Sequence, residues 1–279
     1  MNSSDLDPCG GEFPSINYEL VTKIVIAVLT VACVIGVAGN SIILIVLQCC
    51  KTKNPISILL INLAVANILF QIIVLPCQVA VYWFPYWTLG KIMCRLSFIS
   101  EDIASSQAAF ILVLIAIDRY LSIVGINGKH RRLPHPTLFV FICYVLSISG
   151  AIPTFLGVDE FEFVLNNSQT NSSHKYCGPV VNWWPEVRLI RSIFCFFVPV
   201  LFMFICYFPV FKFLRAHFSM MEKKNISGNS SQSKKKVLRL VVGLMTCFIL
   251  SWLPYHAGKI YSQMMDPTLL ACRIDFLSC

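Results

Sequence analysis

Three adjacent residues, Asp118, Arg119 and Tyr120, close an almost uncharged apolar run that begins near Cys94. An acid beside a guanidinium at the foot of such a run supplies a charge pair at a water boundary and no nucleophile. At about 1.5 Å rise per residue, Cys94 and Arg119 lie roughly 37 Å apart on a helix, slightly more than a bilayer core of about 30 Å. The two residues are therefore expected at opposite membrane faces. If Cys94 faces the oxidising exterior, Arg119 faces the cytosol, and Lys129, His130, Arg131 and Arg132 follow it as cytoplasmic loops prefer. Glu101 precedes Arg119 by five turns of about 3.6 residues, so both project from one face. An ionisable residue inside a membrane helix faces the bundle interior, which makes Glu101 a candidate for an internal pocket open to the outside. The competing reading is an acid near enough to the outer surface to be solvated.

Other chemistry is sparse. The five histidines, His130, His135, His174, His217 and His256, fall mostly in loops, and only His256, beside Tyr255, is placed to see a ligand. No nucleophile and base pair, metal triad or inverted repeat with broken helices stands out, so an enzyme, a metal centre or a transporter is not expected, and no cofactor is implied. Most of the thirteen cysteines lie within or beside apolar runs and read as small buried hydrophobes. The net charge of +8 concentrates in loops on one side, without interleaved aromatics, and signals orientation instead of nucleic-acid binding.

The elements that must position these groups are membrane helices. A mean hydropathy of +0.73 and 57% hydrophobic residues are too apolar for a soluble domain. Runs of about 20 or more apolar residues between short polar loops signal spanning helices. Six are expected, near Val21–Leu47, Ile56–Tyr82, Cys94–Tyr120, Pro136–Leu156, Glu186–Leu214 and Lys234–Gln263. The chain thus divides into an acidic extracellular tail (1–20), an all-α membrane bundle (21–262) and an extracellular C-terminal segment (263–279) too short and polar for another span. Asn2, Asn166 and Asn171 head glycosylation sequons on the outer side. Phe161 and Phe163 alternate with acids as a strand would, predicting a short hairpin over the bundle mouth. The Ser/Asn/Gly-rich stretch Asn225–Ser233 reads as a flexible linker. Pro76 and Pro254 are expected to kink their helices.

Several motifs in order resemble the rhodopsin-like G protein-coupled receptors: Gly39-Asn40, Leu63-Ala64, Trp87 and Gly90 before Cys94, Asp118-Arg119-Tyr120, Pro199 with Tyr207, and Phe248 with Trp252-Leu253-Pro254. The stretches Asp118–Val124 and Trp87–Gly90 look like the peptide-receptor branch. The resemblance implies a disulfide from Cys94 to Cys177 and, as in chemokine-type receptors, a second from Cys9 to Cys272. It implies a plasma-membrane receptor with an extracellular N-terminus, a peptide or chemokine-like ligand, and a heterotrimeric G protein partner of the inhibitory type. Gln78, Trp87, Glu101, Trp252 and Tyr255 become candidate ligand residues; Asp118, Arg119, Tyr120 and Tyr207 the coupling residues; Phe248, Trp252 and Pro254 the activation switch. Asn67 stands where the family usually has aspartate, and Ala108 where it often has serine, so the family's internal sodium site is expected to be weak or absent. Tyr144 replaces the usual tryptophan of the fourth span. The seventh helix with its Asn-Pro-x-x-Tyr motif is missing from the expected set, which leaves a second reading: a non-signalling ligand sink, or a partner that modulates full-length receptors.

Overall fold

Backbone immersed in hydrocarbon must satisfy its own hydrogen bonds, so long apolar runs become helices. A computed structural model describes residues 18–49, 54–125, 129–167, 170–223 and 229–264. Its elements are α1 (Tyr18–Cys49), α2 (Pro55–Trp83), α3 (Gly90–Ile123), α4 (Pro136–Gly150), α5 (Ile152–Gly157), β1 (Val158–Asn167), β2 (Thr170–Pro179), α6 (Trp184–Ser192), a π turn (Ile193–Phe197), α7 (Val198–Lys223) and α8 (Asn229–Met264). Among the described residues, five helical stretches are long and apolar enough to cross a membrane: Glu19–Cys49, Pro55–Trp83, Gly90–Ile123, Pro136–Gly157 and Trp184–Ala216. α8 is the sixth long helix, and the chain is an all-α membrane bundle.

Helix α3 is the axis, touching α2, α4, α7, α8 and the hairpin. Its small and apolar residues Ala108, Ala109, Ile111, Leu112 and Ile115 meet Leu59 and Leu63 of α2, Phe196 of the π turn, Met203 and Tyr207 of α7, and Phe248 of α8. The soluble-protein pattern is inverted. Large side chains such as Val28, Ile35, Phe141, Phe194 and Phe208 lie outward, whereas Ser105, Ser106, Gln107, Asp118 and Ser147 are buried. Lipid can solvate the first set and only the bundle interior can satisfy the second. Between α1 and α2 the approach is close at Gly36: a Cβ there would stand 2.1 Å from Nε2 of Gln71, whose flexible end would have to shift.

Prolines mark the joints. Pro55 and Pro136 stand in the first turns of α2 and α4, where a missing N–H costs nothing. The expected fourth span is two helices, because after Gly150 the chain turns at Ala151 and restarts with Pro153 in the first turn of α5. The fifth span contains the π turn, in which the N–H of Val198 donates to Ile193, five residues back. Pro199 follows at once and has no N–H for the carbonyl of Cys195, so the ordinary ladder is already interrupted there.

The linker expectation needs correction: α8 begins at Asn229, so Asn229–Ser233 is helical, continuous with the basic turn that follows. Serine and asparagine are favoured at helix starts as well as in linkers, and composition alone did not separate the two. The expected hairpin is present, antiparallel, with Glu160 opposite Cys177 and Asn166 opposite Asn171. Residues 265–279, on which the short C-terminal segment and the absence of a seventh helix were argued, lie outside the described residues, as do Asn2, Cys9 and Cys272.

Candidate functional site

At the outer end, Gly90 adopts φ +78°, open to glycine at little strain, and turns the chain from the α2–α3 loop into α3. Trp87 packs into that turn, donating from Nε1 to the carbonyl of Gly90 at 2.9 Å and from its backbone N–H to Lys175 of β2 at 2.8 Å. Cys94 is then aligned with Cys177 and bonded to it, with a Cα separation of 5.6 Å. Cys77, Val158 and Trp184 complete an apolar cluster around this link. Asp159 accepts from Nζ of Lys91 at 2.9 Å and Nη2 of Arg95 at 2.8 Å, while Glu160 pairs with Lys175 at 2.9 Å. Lys91 first, then the backbone N–H of Glu160 and Arg95, hold the Asp159 carboxyl below its usual range against the opposing effect of desolvation. Glu160, followed by Glu162, pushes the Lys175 ammonium up. The hairpin is thereby fastened to α3 both covalently and electrostatically.

Beneath it lies a small recess of about 20 Å³ between α3, α5, α6 and α8. Glu101 and Asp102 enter it from α3, Thr154 from α5, Arg188, Arg191 and Ser192 from α6, and Tyr255 and His256 from α8. Asp102 is the buried acid; it forms an ion pair with Arg191 and accepts from the Thr154 hydroxyl. The hydroxyls of Ser105 and Ser106 donate to the Asp102 carbonyl at 3.1 and 2.7 Å. Glu101, half-buried, accepts from the Tyr255 hydroxyl, and Nδ1 of His256 lies 3.0 Å from Oγ of Ser192. Two polar ties therefore join α8 to the rest of the recess.

Below the recess an aromatic column continues down α8. The Trp252 ring lies 5.5 Å from Tyr255, 6.5 Å from Phe248 and 6.1 Å from Phe70 of α2, and Phe196 lies 5.8 Å from Phe248. Between α1 and α2, the Asn67 amide donates to Oδ1 of Asn40 at 3.3 Å, and the Asn40 amide to the carbonyl of Gly36 at 2.8 Å. Asparagine at position 67 thus sits in a neutral amide chain.

At the inner end Asp118 is fully buried. Its Oδ2 accepts from Nη2 of Arg119 at 2.5 Å, and Oδ1 accepts from the backbone N–H of Leu133 at 2.9 Å. Tyr120 packs with Ile123, Val210 and Leu214, and buried Tyr207 belongs to the main core.

The residues expected to act together separate into groups. Glu101 and Tyr255 share the recess and a hydrogen bond. Trp252 stands below it, Trp87 is built into the turn under the hairpin, and half-buried Gln78 does not line it. Phe248 is in the core and Pro254, inside α8, is exposed. Sequence reading passed over Asp102, Thr154, Arg188, Arg191 and Ser192. Two arginines three residues apart at the start of an apolar span are themselves a signal, since cations there must face partners.

The sequence pattern described as "7 transmembrane receptor (rhodopsin family)" matches residues 39–277, and the chain belongs to that family. It is 26% identical to the mouse neuropeptide Y receptor type 6 over 257 residues, covering 89% of this chain and 69% of that one. The bovine neuropeptides B/W receptor type 2 is 27% identical, with 86% and 70% covered. The rat galanin receptor type 1 is 26% identical, with 94% and 75% covered.

Proposed function

We propose that the chain is a plasma-membrane receptor, N-terminus outside, that binds an extracellular peptide or chemokine-like protein at the recess and passes the signal to a heterotrimeric G protein, inhibitory in type, through Asp118-Arg119-Tyr120. The observation that carries this reading is that one helix, α3, holds the recess acids Glu101 and Asp102 at its disulfide-linked end and the Asp118–Arg119 pair at the other. The names of the similar receptors, for neuropeptide Y, neuropeptides B/W and galanin, favour a peptide. Tyr255 and His256 tie the sixth long helix to the recess, and a ligand that competes for Glu101 loosens one of those ties. Phe248 and Trp252 then carry the change towards Tyr207 and Arg119, a population shift between two bundle states.

The test is G protein activation in cells, with surface staining alongside, for the chain and its Arg119→Ala variant. Activation by the surface-displayed chain that disappears in Arg119→Ala is the expected outcome. Equal activation by both would remove Arg119 from the mechanism.

A further inference from the structure

We propose that Arg188 is the anchor for a carboxylate of the ligand, an inference that rests on reading the recess as a peptide site. Several charges around the outer end are matched. Asp159 has Lys91 and Arg95, Glu160 has Lys175, and Asp102 has Arg191. Arg188 lines the same recess, yet among the described residues no carboxylate lies within ion-pairing distance of it, and its buried Nε has no hydrogen-bond acceptor. The Ser192 hydroxyl donates to the Arg188 carbonyl at 2.9 Å and leaves the guanidinium untouched.

A partly desolvated guanidinium with unfilled donors is costly, and the cost is offset when an anion arrives. Arg188 stands one helical turn before Arg191, nearer the outer start of α6, so a ligand entering from outside meets it before the filled Asp102–Arg191 pair. The planar fork of arginine matches a carboxylate bidentately, which selects for a carboxylate over a neutral amide. Two of the hairpin acids, Asp159 and Glu160, are already paired and do not by themselves mark the ligand as basic. The mouth favours a peptide end or side chain that is acidic.

The probes are three mixtures of fluorescent octapeptides: free C-terminal acids without Asp or Glu, C-terminal amides with one Asp or Glu, and C-terminal amides with neither. Saturable binding is measured on cells displaying the whole chain, Arg188→Gln or Arg188→Lys, normalised to surface protein. At least one carboxylate-bearing mixture is expected to bind about tenfold or more tightly than the acid-free amides, as a charge-assisted hydrogen bond allows. Which mixture does so identifies a terminal or a side-chain carboxylate. Arg188→Gln should erase the preference, and Arg188→Lys should reduce it by losing the fork. Equal binding of all mixtures, or a preference that survives Arg188→Gln, overturns the proposal while leaving the peptide site standing. Absence of saturable binding by every mixture to the displayed wild-type chain refutes the peptide reading itself. Where Arg188→Gln does not reach the surface, an undiminished preference in displayed Arg188→Lys is the overturning result.

Discussion

Removing Arg191 tests the recess most directly. In Arg191→Leu the Asp102 carboxylate, with a side chain only 10% exposed, keeps the Thr154 hydroxyl and loses its cation, while Glu101 remains its neighbour in sequence. Breaking one partner of a buried ion pair costs about 3–5 kcal/mol, because the remaining charge is left uncompensated. Against a net stability of about 5–15 kcal/mol this is a large fraction. At roughly 2–4 °C per kcal/mol the melting temperature should fall by about 6–20 °C. The assay is thermal unfolding of purified protein in detergent or nanodiscs, followed by a buried-cysteine reactive dye, for wild type, Arg191→Leu, Asp102→Leu and the double variant. The double variant, which removes both charges, is expected to recover most of the loss, since replacing a whole buried pair by apolar groups is often neutral. Arg191→Leu melting with wild type, or additive losses in the double variant, would refute a coupled buried pair.

Four further outcomes follow from the geometry. Cys177→Ala opens a loop of sequence separation 83 and removes up to about 4–5 kcal/mol of chain-entropy stabilisation, an upper bound because the unfolded helices stay in the bilayer; surface display with antibody staining reports the loss. Gly36→Ala displaces only the flexible end of the Gln71 side chain while gaining helix propensity, and should leave stability within about 1 kcal/mol of wild type, as thermal unfolding will show. Asp118→Asn keeps an acceptor for Leu133 but loses the charge facing Arg119, and ligand-independent G protein activation should rise relative to wild type. The hairpin tether should be indifferent to pH from about 5 to 9. The depressed Asp159 contributes above its unfolded pKa of about 3.9 and fails only as acid takes pH through its lower folded value, whereas the raised Lys175 contributes below about 10.4 and fails only as pH climbs through its higher one. Protease accessibility of the hairpin across that range checks it, and a transition near neutrality would contradict it.

Much of this was legible in the sequence because membrane helices announce themselves by length and apolarity. Cys94 and Arg119 fix α3 by arithmetic on helical rise, and Phe161 with its flanking acids announces β1. Glu101 was legible as an interior acid, but its neighbour Asp102 is the more deeply buried of the two. The five-turn spacing from Arg119 selects Glu101, and only packing shows that α5 and α6 close on the adjacent face with Thr154 and Arg191. The packing of Trp87 is also legible only in the fold. Its bonds to Gly90 and Lys175 build it into the turn under the hairpin, a role its position in the sequence does not reveal.

The π turn explains why the two arginines were hard to place. Trp184, Arg188, Ser192 and Phe196 follow at intervals of four, and all but partly buried Arg188 are buried. At about 3.6 residues per turn such a stripe drifts by roughly 40° each step, so a regular helix would carry Phe196 away from the face on which Arg188 begins. Bonds from residue i to i−5 place more residues in one turn and reverse part of that drift between Ile193 and Phe197. Phe196 can then stack on His256 at 4.6 Å and meet Phe248 while Arg188 and Ser192 still line the recess above. Polar recess and aromatic core share one face of a continuous helical stretch only because the helix loosens between them, at the step before Pro199, where the sequence had already removed a backbone donor.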